Sequence, residues 1–248
     1  MRACLFVSVL LIVLGAASPA LAQTRAWPER FWGGVGGGIQ PTVNSFDDVF
    51  ERELYLETER VTVGYPVTSG ALIAASGGAR VWKRLAVGAG VTRYNRRGSA
   101  TVTARLPHPF FDNQFRTIEG TTATTRRETG AHVFIGWMMP LGDRLRLIVT
   151  AGPSMLRVGQ TLVTDVQFAE VFPYDTAEFT AATTTDATRS ATGFNAGADM
   201  FWMFSRRIGA GGLVQVTRAP ARLNAGSGRT VSVDAGGAQA SVGIRIIF

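Results

Sequence analysis

From Ala238 to Phe248 the residue type switches at every second position. Ala238, Ala240, Val242, Ile244, Ile246 and Phe248 fall on one side, and Gln239, Ser241, Gly243, Arg245 and Ile247 on the other. A period of two is the mark of a β-strand with two unlike faces, because successive side chains point to opposite sides of the backbone. The same alternation recurs near residues 85–92, 131–138, 194–202 and 208–217. Lys83-Arg84, Gly142-Asp143-Arg144 and Ser205-Arg206-Arg207 separate such segments and read as tight hairpin turns. Longer polar stretches at 41–70, 106–127, 165–190 and 219–229 read as loops. Eight strands follow, at about 30–40, 71–82, 85–105, 128–141, 144–164, 190–204, 208–218 and 230–248. The fold class is all-β, a closed antiparallel up-and-down barrel. A ten-strand count holds if residues 53–66 form a membrane hairpin of their own instead of extending the first loop.

A soluble lipocalin-like barrel would alternate in the same way, so alternation leaves open which face meets solvent. Composition favours lipid outside. Hydrophobic residues make up 46% and charged residues 17%, against roughly 25% charged in an ordinary soluble domain. The start of the chain predicts export. Met1-Arg2, an apolar run from Leu5 to Leu14 and the small-x-small site Ala20-Leu21-Ala22 make a cleavable signal peptide over 1–22. A short segment, 23–29, then leads to the barrel domain, 30–248. No later stretch has the 18 or more apolar residues of a membrane helix, so insertion would use strands. The single cysteine, Cys4, lies in the expected leader, which leaves no thiol chemistry in the mature chain.

Four of the five tryptophans, Trp32, Trp82, Trp137 and Trp202, fall near the strand ends that adjoin the short turns. Interfacial rings gather at one height, so these four are expected to form an aromatic girdle on the side of the short turns. Trp82 shares its parity with Arg80, which on a simple count points it inward.

The terminal strand resembles the C-terminal assembly signal of Gram-negative outer-membrane proteins. Ser241, Gly243, Ile246 and Phe248 occupy the matching places. With the glycine-rich first strand, Phe31 to Ile39, residues 30–248 resemble the small OmpA/OmpX-type outer-membrane β-barrel domain family. The resemblance implies a bacterial outer-membrane location, with outer-membrane lipid and lipopolysaccharide as surroundings. It also implies handling of the last strand by the barrel-assembly machinery. It further implies short periplasmic turns and long extracellular loops. No peptidoglycan-binding domain is expected after the barrel.

Five ionisable residues have inward parity: Arg80, Glu128, Arg146, Asp199 and Arg245. Charges inside a narrow bore must pair, so Arg80, Arg146 and Arg245 are expected to meet Glu128 and Asp199 as one luminal network that fills it. A gate for small solutes is the functional version of the same network. Arg93, Arg96, Arg97, Arg116, Arg126 and Arg127 cluster at the outer ends of two strands and between them, at the height of lipopolysaccharide phosphates. Guanidinium groups bind phosphate in a fork, so this cluster is a candidate lipopolysaccharide contact.

The first loop carries Asp47, Asp48, Glu51, Glu53, Glu57 and Glu59. Its spacing does not match a calcium loop, and it reads as solvated. Phe46, Val49, Phe50 and Leu54 could line one face of a short helix there. Of the two histidines, His108 stands between prolines in a loop. His132 points inward, where Glu128 on the same strand could orient it. No serine stands at a nucleophile motif, so the chain is not expected to be an enzyme. A lipid-modifying activity through His132 is the remaining catalytic option. The net charge of +7 rests on 25 Lys and Arg, of which Lys83 is the only lysine. No basic helix or zinc pattern accompanies it, so no nucleic-acid partner is expected. No cofactor, metal or loop ligand is indicated. The expected role is structural or surface-interacting, through the extracellular loops and with a filled bore. A narrow channel for small solutes or ions is the alternative.

Overall fold

The computed structural model describes residues 29–41, 45–66, 68–226 and 228–248. The expected leader, 1–22, and nearly all of segment 23–29 lie outside the described residues. Among the described residues there are ten strands: β1 (Phe31–Gln40), β2 (Phe46–Leu54), β3 (Glu57–Tyr65), β4 (Gly70–Trp82), β5 (Leu85–Pro107), β6 (Phe115–Pro140), β7 (Leu145–Glu170), β8 (Ala177–Met203), β9 (Ile208–Gly226) and β10 (Arg229–Ile247). Eight of them close a ring, β1-β4-β5-β6-β7-β8-β9-β10 and back to β1. The seam is antiparallel, from Trp32 opposite Ile247 to Ile39 opposite Ala240.

The other two strands lie outside the ring. β4 covers one edge of β5 as far as Ala71 opposite Asn95. β3 takes up the same edge higher along, Arg60–Gly64 against Thr101–Arg105. The β2–β3 hairpin therefore stands on top of β4. Its turn residues, Tyr55 and Leu56, both have positive φ, 54° and 67°, as a two-residue hairpin turn of matching twist requires. The 41–70 stretch is thus an extension of the first connection, and the eight-strand count of the ring holds. Phe46–Leu54 is a strand and not a short helix. Cross-strand pairing from Phe46 opposite Tyr65 to Leu54 opposite Glu57 satisfies its backbone.

The other expected loops are largely strand as well. β5 and β6 stay paired to Pro107 opposite Phe115, and β7 and β8 to Glu170 opposite Ala177. A membrane strand needs only about 9–11 residues, whereas β6 has 26 and β8 has 27. The surplus rises from the ring as hairpins. The threonine runs Thr121–Thr125 and Thr180–Thr188 lie in these extensions. They are polar because their outer side chains meet water, and β-branched Thr suits a strand.

Each long strand reverses its polarity part-way. On β5 the outward residues run Val87, Ala89, Val91 and then Arg93, Asn95, Arg97. The inward residues run Gly88, Gly90, Thr92 and then Ala100, Val102, Ala104, the last three fully buried. On β7, Met155 faces outward one step before Arg157, and inward-facing Leu156, Val158 and Leu162 are buried. The lower half is thus apolar outside, and the upper half is apolar inside. An unbroken belt of exposed Val, Ile, Phe, Met and Trp around the lower ring can face only lipid. The chain crosses a membrane with strands; no described helix is long and apolar enough to do so.

Two apolar clusters fill the interior. One, at the turn end, contains Trp32, Phe134, Met138, Ile148, Phe201 and Ile247. The other holds the extended hairpins together around Val61, Val102, Leu106, Leu162, Leu223 and Val233. Polar residues occupy the layer between the two clusters.

Candidate functional sites in the bore and at the extended end

The polar layer is built by inward positions of seven strands, β1 and β5 to β10. Asp199 on β8 and Arg245 on β10 meet across the bore in a two-pronged pair. Arg245 Nε donates to Oδ2 at 2.8 Å and Nη2 to Oδ1 at 2.9 Å. Both are almost wholly buried. Gly34 on β1 makes the room, since a Cβ there would lie 2.4 Å from Arg245 Cδ.

Glu128 belongs to a separate level. It accepts from Arg126 Nε at 2.7 Å and from the Gly236 N–H at 2.9 Å. Gly236 and Gly237 have φ of 89° and 138°, a bend that turns this N–H into the bore. Gln40 Nε2 donates to the Gly236 carbonyl at 3.0 Å, and Gln239 donates to Gln40 at 2.9 Å. Arg146 bonds Glu29 at 3.0 Å near the turn end. Arg80 is half-buried at the same end, and its backbone N–H bonds Arg30. These residues therefore stand at three levels: Arg80 and Arg146 near the turn end, the Asp199–Arg245 pair, and Glu128 with Arg126.

Arg126 does not belong to the outer cluster: it shares a face with Glu128, two residues on, and is buried beside it. Arg116 is buried too. Its Nη2 donates to the Pro107 carbonyl at 2.8 Å, its Nη1 to the Tyr174 carbonyl at 3.0 Å, and Nη1 also bonds Glu170. Neither of these two can reach an outer lipid. Arg93, Arg96, Arg97 and Arg127 are exposed, and Arg157, which the sequence reading omitted, joins them. Arg93 and Arg157 flank Thr129 in the first polar row above the belt.

The aromatic girdle needs one replacement. Trp32 points inward and stacks on Phe134 with centroids 6.0 Å apart. Its parity follows the inward glycines of β1. Trp82, Trp137 and Trp202 are exposed. Trp82 escapes the inward parity of Arg80 because a register shift between them leaves Val81 as an extra residue. Phe31 and Phe248, stacked at 5.9 Å, complete the turn-end ring of exposed aromatics. Along the terminal strand Ser241 and Gly243 face inward, and Ile246 and Phe248 face outward.

His132 does not meet Glu128. Its Nε2 lies 2.9 Å from Thr92 Oγ1 and its Nδ1 2.8 Å from Ser154 Oγ. Asn195 Nδ2 donates to the same Ser154 oxygen at 2.8 Å. Ser154 escaped the sequence reading because it lies on the neighbouring strand. Equal steps on either side of Asp143 in the hairpin turn would have paired it with His132. Next to this group the β6–β7 ladder lapses. Val133 and Phe134 have no register partner, opposite Gly152 and Pro153, and proline has no N–H to offer. A groove of about 700 Å³ on the outer wall runs over this place, lined by Ala89, Val91, Ala131, Pro153 and Met155.

In the extended region part of the acidic stretch is paired with arginine. Arg229 Nη1 lies 3.0 Å from Asp48 Oδ2, and Arg52 bonds both Glu59 and Asp165. Burial pushes the Asp48 carboxyl above its ordinary pKa, with Arg229 opposing. His108 folds back on its own loop, its Nδ1 accepting from the Phe110 and Phe111 N–H groups at 3.1 and 3.2 Å.

This ring, with its short turns at one end and tall hairpins at the other, can be set beside solved structures. OprG from Pseudomonas aeruginosa superposes with a TM-score of 0.51 at 10% identity, covering 89% of this chain and 96% of that one. The fold is that of a small outer-membrane β-barrel. Neisserial surface protein A gives a TM-score of 0.45 at 10% identity, over 88% of this chain and 97% of its own. The N-terminal barrel of Pseudomonas aeruginosa OprF gives 0.41 at 11%, over 89% and 98%. No protein-family model and no curated protein sequence matches the chain.

Proposed function

We propose that the protein is a bacterial outer-membrane barrel with a closed bore, whose role is structural and surface-interacting through its extended end. The observation that carries this reading is the filling of the interior at successive heights. The turn-end cluster around Trp32 and Phe201, the Asp199–Arg245 pair, the Arg126–Glu128 layer and the aliphatic core of the hairpins stand one above another. In this reading the short turns face the periplasm and the hairpins stand outside the cell. The expected leader is removed before insertion, and the strand ending Gly243, Ile246, Phe248 is presented to the barrel-assembly machinery.

Purified protein in planar bilayers is expected to give no steady conductance. Steady, ion-selective openings would overturn the closed bore and bring back the narrow-channel reading.

Lipopolysaccharide is the lipid partner this reading implies. Arg93, Arg127 and Arg157 stand outward just above the apolar belt, with the Val91–Met155 groove beneath them. That order matches a phosphate above an acyl chain. Charge reversal of Arg96 and Arg97, or of Arg93 and Arg157, is expected to lower lipid A co-purification and thermal stability. Unchanged values for both pairs would remove lipopolysaccharide from the proposal.

A further inference from the structure

The tips of three hairpins meet at the point of the molecule farthest from the belt. The β2–β3 turn brings Tyr55 and Leu56, the β5–β6 tip brings Phe110 and Phe111, and the β7–β8 tip brings Val171 and Phe172. All six are exposed, Leu56 to 90%, Val171 to 78% and Phe172 to 77%. Lipid does not explain them. From Thr129, at the edge of the belt, to Phe115, β6 adds roughly 45 Å of strand at about 3.3 Å per residue, and its outward face there is polar. Apolar side chains so far from the membrane, gathered and not scattered, mark a surface that something covers.

The tips are tied to one another. The Asn113 N–H donates to Glu57 Oε1 at 2.8 Å. Tyr55 and Arg116 both bond Glu170, from two different hairpins. Tyr174 packs between Phe110, at 5.5 Å, and Phe172, at 6.0 Å, while Phe111 lies 4.8 Å from the His108 ring. An aromatic surface ordered before binding loses little entropy when a partner arrives, and aromatic anchors supply most of the energy of protein interfaces.

Charge narrows the partner. Glu53, Asp112, Asp175 and Glu178 are exposed beside the patch. Of the arginines nearby, Arg116 is paired with Glu170 and Arg52 with Glu59 and Asp165, while Arg105, laid over the Phe115 ring at 3.8 Å, keeps its charge and is outnumbered by the four carboxylates. The rim is acidic, so it repels anionic headgroups, and it repels a second copy of itself. We propose that this crown is a protein-docking surface whose partner presents basic side chains around an apolar face. The proposal rests on the surface-interaction reading above and gives it a site.

The test uses the full barrel in uncharged nanodiscs and two synthetic peptides with one leucine and phenylalanine pattern. One carries lysine and arginine at the polar positions and the other carries glutamate. The basic peptide is expected to bind at least tenfold tighter by fluorescence anisotropy, and more weakly as salt rises. Leu56→Ser with Phe172→Ser should cut that affinity at least tenfold. Glu53→Gln with Asp112→Asn leaves the apolar anchors in place and should weaken binding severalfold, with circular dichroism and heat-modifiable migration unchanged. Equal binding of the two peptides, or binding that survives both variants, overturns the proposal. Dimerisation abolished by Leu56→Ser with Phe172→Ser would assign the crown to a second copy instead. Binding to uncharged phosphatidylcholine vesicles, lost in that variant, would assign it to a membrane. The conductance measurement probes only the bore, so the closed-bore reading and the crown can fail separately.

Discussion

Arg245 holds Asp199 with two hydrogen bonds across the bore, 2.8 and 2.9 Å long, and neither side chain meets solvent. Breaking a buried pair from one side strands the other charge and costs about 3–5 kcal/mol. Asp199→Ala is therefore expected to lower unfolding stability in urea by about that amount. The double change Asp199→Leu with Arg245→Met should recover most of it, because replacing both charges by apolar groups is near neutral. A double variant as unstable as the single one would show that the pair is not the source.

Gly37 and Gly38 are neighbours on β1 with opposite prospects. A Cβ on Gly38 would sit 1.9 Å from the Ala240 carbonyl oxygen, in the backbone of the closing seam. On Gly37 the nearest atom is 4.0 Å away. Gly38→Val should abolish the compact, fast-migrating species in unheated gels, whereas Gly37→Val should keep it. Equal behaviour of the two would contradict the seam packing.

The polarity reversal predicts where an added arginine is tolerated. Val133 lies outward within the belt and Thr121 outward above it. Val133→Arg should cost about 2–4 kcal/mol, as charges on a lipid face do near mid-membrane. Thr121→Arg should stay within about 0.5 kcal/mol of the parent, as at an ordinary wet surface. Reversible unfolding in lipid vesicles measures both.

Two tyrosines of the extension should titrate late. A hydrogen bond to Glu170 and burial push the Tyr55 hydroxyl to about 12, and burial pushes Tyr65 to about 12. In the unfolded chain both ionise near 10. The unfolded state therefore loses its protons first as pH rises, and this part of the stability, complete below 10, disappears between about 10 and 12. Absorbance at 295 nm should show the late phase, and Tyr65→Phe should reduce it. A full phenolate signal by pH 10.5 with the fold intact would contradict the burial of Tyr65.

The ring, its eight strands and its three short turns were legible in the sequence, because a period of two leaves its mark on every strand. The height of the walls was not. The polarity of Thr121–Thr125 and Thr180–Thr188 looks like that of irregular backbone, when it reports a wet outer face. Trp82 defeated parity counting because Val81 is an extra residue that no composition signal announces. Trp32 could have been placed by noticing that it shares a face with Gly34, Gly36 and Gly38. The tie between Arg126 and Glu128 was open to the same reasoning, since residues two apart on a strand share a side. Asp199 with Arg245, and His132 with Ser154, needed the register between strands, which local pattern does not contain. The crown needed more still, because Leu56, Phe110 and Phe172 come together only through the three-dimensional fit of separate hairpins.

The reversal of polarity along β5 and β7 also has a mechanical meaning. Sliding this barrel inward by one row would draw Arg93 and Arg157 into hydrocarbon, and sliding it outward would expose Val91 and Met155 to water. Either displacement meets a restoring force, so the wall is keyed to one depth. The crown is then carried at a set distance above the bilayer, like a lamp on a post whose footing cannot settle.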